Sequence, residues 1–292
     1  MQVYLVDGTY ELFRHYFGAP AQQNSRGLEI GACRSLVRSL NALAARANVT
    51  HLACAFDSEI RSFRNQLFSG YKTGEGIEPE LLSQFPLAER VARALGLMVW
   101  PMVEFEADDA LATAASRLTQ HPEVERVVIC SPDKDLAQCV DSRVVLWDRH
   151  RDRWLDRAGV KDKFGVAPES IPDWLALVGD AADGVPGIPR WGAKSAAAVL
   201  DAYQFLDRIP DEATEWSVKV RGAATLAENL KAHREDALLY RELTRLRTDA
   251  PIDCEPDSLE IAPLQVDELE LLAVELDDRN LVERSRGQRG SK

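Results

Sequence analysis

The chain has 292 residues, of which 46% are hydrophobic and 28% are charged, and its formal net charge is −12 at pH 7. This composition excludes a fibrous or disordered protein and is sufficient for a sizeable buried core. A strongly acidic chain is also a poor indiscriminate binder of nucleic acid, unless its carboxylates are concentrated at one place and neutralised by cations.

The amino terminus argues against an exported or membrane protein. The segment MQVYLVDGTY lacks a basic stretch and reaches Asp7 too early for a signal peptide or a membrane span. The five cysteines are scattered without a C-x-x-C pair, and the five histidines show no zinc-ligand spacing. We therefore expect a cytoplasmic protein with reduced thiols and no membrane contact.

Three short apolar runs each end on aspartate: VYLVD at 3–7, LACAFD at 52–57 and VVICSPDKD at 127–135. Runs that are apolar throughout are typical of strands buried on both faces. Apolar residues at helical spacing from Ile30 to Ala47 predict a helix between the first two, hence a βαβ unit and a parallel sheet. Because ligands bind beyond the carboxyl ends of such strands, we expect these aspartates to lie together at one edge.

Residues 60–84 interleave basic and aromatic side chains directly after the second strand. They are Arg61, Phe63, Arg64, Phe68, Tyr71 and Lys72. Cationic and aromatic side chains together suit a surface that follows a single nucleic-acid strand and stacks on its bases. A surface loop whose aromatic side chains anchor it to the core fits the same pattern. The residues alone leave both interpretations open.

The segment EFEADDALATAASRL at 104–118 predicts a helix whose first turn holds Glu106, Asp108 and Asp109. Acidic residues stabilise a helix amino terminus by only about 0.3–1 kcal/mol each, so an isolated acidic turn would be unremarkable in function. If the strand-end aspartates lie next to this turn, the combined negative charge is more than the helix dipole can offset. Clusters of oxygen ligands alone select Mg²⁺ or Mn²⁺, so the pattern predicts a divalent metal site.

A second acidic pair, Asp180 and Asp183, opens the segment VGDAADGVPGIPRWGAKSAAAVL at 178–200. Its glycine-rich turn leads into an alanine-rich helix. The backbone N–H groups of such a turn and of a helix amino terminus can bind phosphate. A glycine-rich turn between helices serves packing as often, so by itself this feature decides nothing.

These segments together resemble the motifs of a known family. LVDGTYELFR, FDSEIRSFRNQLFSGYKTGE, FEADDALATAA, SPDKDLAQ and VGDAADGVPGIPRWGAKSA occur in the order of the signature motifs of the bacterial 5′-nucleases. This family comprises flap endonucleases and 5′-3′ exonucleases, which also form the amino-terminal domain of many family A DNA polymerases. The resemblance covers residues 1 to about 246.

The resemblance implies an α/β fold: a central, mainly parallel sheet flanked by helices (PIN-like), a helical arch, and a helix-turn-helix (H3TH) DNA-binding subdomain. On this basis we expect a catalytic domain at 1–178 with its arch at about 60–85, an H3TH region at 179–250, and a carboxy-terminal helical segment with a flexible tail at 251–292. The final RSRGQRGSK is expected to be unstructured.

The resemblance also implies two Mg²⁺ or Mn²⁺ ions and potassium at the H3TH turn. The implied ligands are Asp7, Asp57, Glu106, Asp108 and Asp109 at the first ion, Asp133 facing both, and Asp135, Asp180 and Asp183 at the second. Lys72 and Arg64 match basic arch residues beside the scissile phosphate, and Arg14 matches an arginine near the cut. The residues expected to contact DNA are Arg61, Tyr71, Gly187, Arg190, Gly192, Lys194 and Ser195.

The implied function is that of a stand-alone, structure-specific DNA 5′-nuclease in replication and repair. It would hydrolyse phosphodiesters near single-strand/double-strand junctions by a two-metal mechanism, giving a 5′-phosphate and a 3′-hydroxyl. Expected partners are DNA with 5′ flaps, 5′ overhangs or nicks, and a DNA polymerase, at the nucleoid of a bacterial cell. The alternatives are a non-catalytic DNA-junction binding protein, a PIN-type ribonuclease, and a phosphatase; the last would want an aspartate where Thr9 stands.

Two departures from the family pattern affect the basic residues. Glu75 stands where the family commonly has an arginine, which weakens the positive field of the arch. In the turn, Pro189 and Arg190 replace a lysine and a glycine. We expect the Arg190 guanidinium to contact phosphate directly in place of the backbone.

Overall fold

The computed structural model describes residues 1–289. The chain divides into two compact units: a first unit of Met1–Ile60, Gly74–Ser131 and the segment from Thr248 onward, and a second unit of Arg61–Thr73 and Pro132–Arg247. The thirteen α-helices within residues 1–289 are α1 (Gly8–Gly18), α2 (Gly31–Ala44), α3 (Arg64–Leu67), α4 (Pro79–Leu82), α5 (Phe85–Ala94), α6 (Ala107–Leu118), α7 (Arg157–Phe164), α8 (Ile171–Val178), α9 (Ala193–Tyr203), α10 (Ala223–Ala232), α11 (Arg234–Thr244), α12 (Val266–Glu275) and α13 (Leu281–Arg289).

The first unit is built on four parallel strands. They are β1 (Gln2–Asp7), β2 (His51–Asp57), β3 (Met98–Met102) and β4 (Arg126–Cys130), in the order β3-β2-β1-β4. In register, Val6 of β1 lies between Cys54 of β2 and Cys130 of β4. The interior strands are buried on both faces, which is why their sequences are apolar without alternation. The predicted parallel sheet is confirmed.

Helix α1 begins directly after β1 because residue 8 is a glycine. A Cβ on Gly8 would lie 2.5 Å from the ring of Phe56 and 2.8 Å from the carbonyl oxygen of Ala55. Only a residue without a side chain therefore lets the chain turn into a helix so close to β2. This contact holds the start of α1 against the end of the sheet.

The second unit combines one antiparallel strand pair with a helical region. Strands β5 (Val144–Asp148) and β6 (Arg153–Leu155) form a hairpin in which Trp147 stacks on Trp154. Helices α8, α9 and α11 follow, and α8 packs against both of the others. The buried indoles of Trp174, Trp191 and Trp216 lie in this region.

The helices predicted at 30–47, 104–118 and after the glycine-rich turn are confirmed as α2, α6 and α9. The segment expected to form a helical arch is helical only in the four-residue helices α3 and α4. The prediction of an unstructured tail is wrong up to Arg289, because α13 continues to that residue and Arg289 donates to the carbonyl oxygen of Ala262 at 3.4 Å. The last part of that tail, 290–292, lies outside the described residues. Within residues 1–289, no helix combines the length and the apolarity that crossing a membrane requires.

Candidate metal centre and nucleic-acid interface

The first acidic group lies at the carboxyl ends of β1 and β2 and at the start of α6. Asp7 ends β1 and caps α1, accepting a hydrogen bond from the Tyr10 amide (2.8 Å) and another from Ser131 Oγ (2.9 Å). Asp57 ends β2, and its Oδ1 accepts from the amide of Ala107 in the first turn of α6 (2.7 Å). This bond holds the end of β2 next to the acidic turn, as the sequence predicted.

Within that turn, the carboxylates are buried to different degrees. Glu106 and Asp109 are buried, whereas Asp108 is partly exposed. The amide of Glu106 donates to Asp109 Oδ2 at 3.0 Å, which is half of the reciprocal cap seen at many helix starts. This bond orients the first turn of α6 next to the carboxyl end of β2, so the carboxylates of the turn face the same edge of the sheet as Asp57.

The second acidic group is tighter. One ligand oxygen from each of Asp135, Asp180 and Asp183 lies within 4.8 Å of the others; we call these three residues the acidic triad. Among residues 1–289 it is this triad, and not the first acidic group, whose oxygens reach that spacing. The triad is set by local structure: Asp135 begins a 3₁₀ turn, and Asp180 exchanges two backbone hydrogen bonds with Val185, each 2.8 Å long.

The electrostatics of Asp135 indicate an unmet need for positive charge. Its side chain is 5% exposed, and its Oδ1 is buried without a hydrogen-bond partner in the described structure. Burial, followed by the negative charges of Asp133, Asp183 and Asp180, holds the pKa of Asp135 well above its ordinary value. Buried polar atoms are rarely left unsatisfied, and a divalent ion supplies what this oxygen lacks, so the donor set fits Mg²⁺ or Mn²⁺.

Two lysines flank the triad. Lys134 Nζ lies 2.6 Å from Asp180 Oδ2, and Lys72 Nζ lies 3.6 Å from Asp183 Oδ1. Lys134 was not singled out from the sequence, although a lysine between two candidate ligands in SPDKD was a signal for it. Lys72, predicted as a catalytic arch residue, is thus placed beside candidate ligands.

A close backbone approach positions Lys72. Its amide donates to the carbonyl oxygen of Asp183 at 3.1 Å. Gly184 has a φ of +74°, and a Cβ there would lie 2.2 Å from the carbonyl oxygen of Gly70. Glycine at 184 therefore permits both the left-handed conformation and the contact between the two loops.

Two residues predicted to meet DNA are instead buried. Arg64 is 0% exposed and donates from Nε to the carbonyl oxygen of Leu243 (2.8 Å) and from Nη2 to that of Arg245 (3.0 Å). Tyr71 is 2% exposed and packs against Val185 and Leu243. The structure contradicts the predicted contact of Arg64 with phosphate and the predicted stacking of Tyr71 on bases. Both side chains anchor the loop. The prediction was wrong because their partners lie far away in the sequence and no local pattern shows them. Arg61, in contrast, is exposed as expected.

The helix-turn-helix is formed by α8, a turn at 179–192 and α9. Gly187 has a φ of +74°, and a Cβ on it would lie 2.6 Å from the amide nitrogen of Gly179, so the turn requires glycine there. Arg190 adopts a φ of 70°, the left-handed conformation that the family's glycine would take more easily. Its side chain is exposed at the turn.

The start of α9 forms an open recess. It is lined by Arg190, Gly192, Lys194, Ser195 and Arg221, among others. The amide of Gly192 donates to Ser195 Oγ at 3.1 Å, and that hydroxyl donates back to the Gly192 carbonyl at 2.9 Å. The cationic side chains therefore remain available to an anion, whereas the Gly192 amide is already used within the turn.

Arg14 lies on α1, two turns after Asp7. Its Nη2 donates to Glu11 Oε2 at 2.7 Å, and its side chain is 23% exposed. Glu11 is buried and was not identified from the sequence. Its spacing of four residues from Asp7 and three from Arg14 was the available signal.

The sequence matches two family models. Residues 2–165 match the 5′-3′ exonuclease, N-terminal resolvase-like domain, and residues 166–267 match the 5′-3′ exonuclease, C-terminal SAM fold. The 5′-3′ exonuclease of Aquifex aeolicus is 31% identical over 281 residues, covering 96% of this chain and 93% of that protein.

The chain also matches DNA polymerase I of Rhizobium leguminosarum (37% identical, 89% of this chain) and of Pseudomonas aeruginosa (35% identical, 94% of this chain). It spans only 26% and 30% of the length of these two relatives.

Solved structures confirm the fold. The T5 5′-exonuclease with bound zinc has a TM-score of 0.67 at 17% identity, covering 100% of this chain and 99% of that one. The bacteriophage T5 flap endonuclease in a complex with DNA and metal ions has a TM-score of 0.65 at 18% identity, covering 100% and 98%. Since both family domains and a relative matched over nearly its whole length agree with the resemblance seen in the motifs, the chain belongs to the 5′-3′ exonuclease family.

Proposed function

We propose that the protein is a divalent-metal-dependent, structure-specific DNA 5′-nuclease that acts as a flap endonuclease and a 5′-3′ exonuclease. The observation that carries the proposal is the acidic triad with the buried, unpartnered Oδ1 of Asp135, found in a chain of this family. The metal ions and DNA named with the T5 structures support it. Replication and repair, alongside a DNA polymerase, are the proposed setting.

One ion is assigned to each acidic group. Asp135, Asp180 and Asp183 would hold one, and the group at the ends of β1 and β2 and the start of α6 would hold the other through Asp7, Asp57, Glu106, Asp108 and Asp109. Oxygen donors alone favour Mg²⁺ or Mn²⁺ over zinc. When bound, such ions lower the pKa of a water and stabilise the developing charge on a phosphodiester. The products would be a 5′-phosphate and a 3′-hydroxyl.

The remaining work falls to basic side chains of the chain itself. Lys72 is held beside Asp183 by the Gly184 contact, where its ammonium group can orient a scissile phosphate. Arg14 and Arg61 would bind the phosphates near the cut. A lysine ammonium is a compact charge on a flexible side chain, which suits the scissile phosphate as its charge changes during the reaction. An arginine guanidinium is planar and can donate two parallel hydrogen bonds, which suits phosphates that do not react.

The helix-turn-helix would provide duplex binding. Arg190 and Lys194 are exposed at the start of α9 and can contact the DNA backbone, with potassium at the turn of Gly187 as part of the proposal. Contacts to phosphates carry no base information, so this region would select DNA by shape. Selectivity for flaps, 5′ overhangs or nicks would follow from the junction and not from sequence.

The test uses a 5′-labelled flap DNA with Mg²⁺, with Mn²⁺ and with chelator. The wild-type chain should cut next to the junction only with a metal, and Asp135→Asn should lower the cleavage rate by at least ~100-fold. Asp201→Asn is the matched control, because Asp201 is an exposed aspartate paired with Lys161 in the same unit. Calorimetry should show weaker metal binding for Asp135→Asn alone.

Three results would contradict the proposal in different ways. Tight junction binding without cutting under any metal would identify a non-catalytic junction-binding protein. Preference for structured RNA over a DNA flap would indicate a ribonuclease of related fold. Cutting that persists in chelator would exclude the metal-dependent mechanism.

A further inference from the structure

A buried carboxylate lies beside Arg14 in the first unit. Glu11 is 2% exposed, yet it belongs to a helix whose outer face meets solvent. Leaving a charge buried costs several kcal/mol unless partners compensate it. Arg14 Nη2 at 2.7 Å and Ser39 Oγ of α2 at 3.2 Å compensate this carboxylate.

The same contacts restrict Arg14. Its Nη2 lies 2.7 Å from Glu11 Oε2 and 2.9 Å from His15 Nε2, so one end of the guanidinium is held from two sides. For Nη2 to donate to His15, the Nε2 of that ring must carry no proton. An arginine side chain has many rotamers, and these two acceptors remove most of that freedom before any ligand arrives.

The guanidinium still has unused donor capacity. Within residues 1–289 the hydrogen bonds of the guanidinium use Nη2, and the side chain as a whole is 23% exposed. A guanidinium has five N–H groups in a planar fork, so an anion can approach one side while Glu11 holds another. The bridge to Glu11 therefore leaves Arg14 able to bind a phosphate.

The helix connects this arrangement to the first acidic group. Asp7 caps α1, and Glu11 and Arg14 follow it at four and seven residues, which places all three on one face of the helix. The Gly8 contact with Phe56 fixes where that helix starts. Arg14 is consequently about 10 Å along the axis from Asp7, at a rise of 1.5 Å per residue, on the helix that Asp7 caps.

We propose that Glu11 is a positioning residue: it orients the Arg14 guanidinium toward the DNA phosphate next to the one that is cut. This rests on the proposed function, in which Arg14 binds DNA. The arrangement has an electrostatic cost, since a carboxylate near the path of DNA weakens attraction for it. If Glu11 positions Arg14, removing it should slow cleavage. If Glu11 only repels DNA, removing it should strengthen DNA binding without slowing cleavage, so the rate and the Kd together separate the two roles.

The experiment is a double-mutant cycle on the metal-loaded full chain with Glu11→Met, Arg14→Ala and the double variant. Single-turnover cleavage of a 5′-flap DNA and the Kd for the same DNA are measured together. Glu11→Met should lower the single-turnover rate by ~10-fold, as expected for a misoriented contact. The Kd should stay the same or fall, because one negative charge is removed. In the Arg14→Ala background, Glu11→Met should have no further effect.

Two more variants separate positioning from folding. Glu11→Gln keeps an acceptor for Arg14 and should give an intermediate rate. Removing one partner of a buried ion pair destabilises the fold because the other charge is left uncompensated, so Tm is recorded for each variant. Asp278→Asn removes a second buried carboxylate paired with arginine, Arg284, on a segment without candidate ligands, and its cleavage rate should equal that of the wild type.

An equal rate loss for Glu11→Met with and without Arg14 would overturn the inference, as would a Kd that rises in step with the rate loss. Failure of the proposed function is distinguishable. If the wild-type chain binds flap DNA without cutting it, the proposed function fails by itself. The same cycle, read as Kd for the flap DNA, then decides on Glu11: an effect of Glu11→Met on Kd that disappears in the Arg14→Ala background supports positioning, and an equal effect in both backgrounds refutes it.

Discussion

Replacing Arg64 by methionine should destabilise the second unit and leave its chemistry intact. The guanidinium is fully buried, and it donates to the carbonyl oxygens of Leu243 and Arg245 at 2.8 and 3.0 Å. Hydrogen bonds of a charged donor contribute about 1.5–3 kcal/mol each. Losing both gives about 3–6 kcal/mol, and relief of the desolvation of the guanidinium offsets part of this. We therefore expect the free energy of unfolding to fall by about 3 kcal/mol.

Urea denaturation followed by tryptophan fluorescence measures this loss in the right part of the chain. The chain has six tryptophans, and all except Trp100 lie in the second unit. With a urea dependence of about 2 kcal/mol per molar, the midpoint should fall by about 1.5 M. Methionine preserves most of the side-chain volume, so the shift reports the lost hydrogen bonds more than a cavity. Arg61→Met, at an exposed arginine of the same loop, is the matched control and should barely move the midpoint.

Cleavage of flap DNA by the Arg64→Met protein is measured at a temperature well below its melting transition. The expected single-turnover rate is close to that of the wild type, since the side chain does not reach the surface. An unchanged midpoint combined with a large loss of cleavage would refute the reasoning. It would mean that Arg64 leaves its buried site to act on phosphate, as the family resemblance implied.

Further predictions test the turns, one surface ion pair and one DNA contact. Gly184→Ala should lower the unfolding free energy by about 1–3 kcal/mol in urea titrations, because its φ is +74° and the new Cβ meets a backbone oxygen; Gly192→Ala, with open space around its Cβ, should be close to neutral. Arg157 hydrogen bonds lower the pKa of Glu169, so this carboxylate stabilises the fold above its ordinary pKa of about 4.3 and loses that effect as pH falls through the lowered value. Because the pair is exposed, Glu169→Gln should lower the free energy of unfolding by less than about 1 kcal/mol at pH 7, and this loss should shrink as the pH falls below the ordinary pKa. Urea midpoints at neutral and acid pH measure both, and an equal loss at the two would contradict this. Arg190→Ala should weaken duplex binding and reduce the slope of log K against log salt by about one, and an unchanged slope would exclude a phosphate contact there.

The acidic residues illustrate how far sequence reasoning reached. Strands that end in aspartate and a helix that starts with three carboxylates are local patterns, and the structure places Asp57 against the first turn of α6 as those patterns predicted. That prediction succeeded because parallel strands bring their carboxyl ends to one edge whatever the intervening chain does. Asp180 and Asp183 lie with Asp135, which is on a distant segment; the family resemblance implied this grouping, and no local pattern did.

The loop at 60–84 shows where such reasoning stopped. Its alternating cations and aromatics were compatible with either a DNA-contacting surface or an anchored loop, and the anchored alternative holds for Tyr71 and Arg64. The carbonyl that accepts from Arg64 Nε belongs to a residue 179 positions later in the chain. No local pattern encodes a partner at that separation, and the role of an arginine depends on its partner.

The sequence by itself determined the types and spacing of the candidate ligands, the burial of the strands, and the helices that follow the acidic and glycine-rich turns, because hydrophobic period and turn chemistry act over a few residues. The tertiary structure decided which cations are free to meet DNA. It buried Arg64, placed Lys72 beside Asp183 through the Gly184 contact, and set Glu11 under Arg14. The physical reason is that the accessibility and the electrostatics of a charged side chain depend on its neighbours, and these neighbours come from segments that are distant in the sequence.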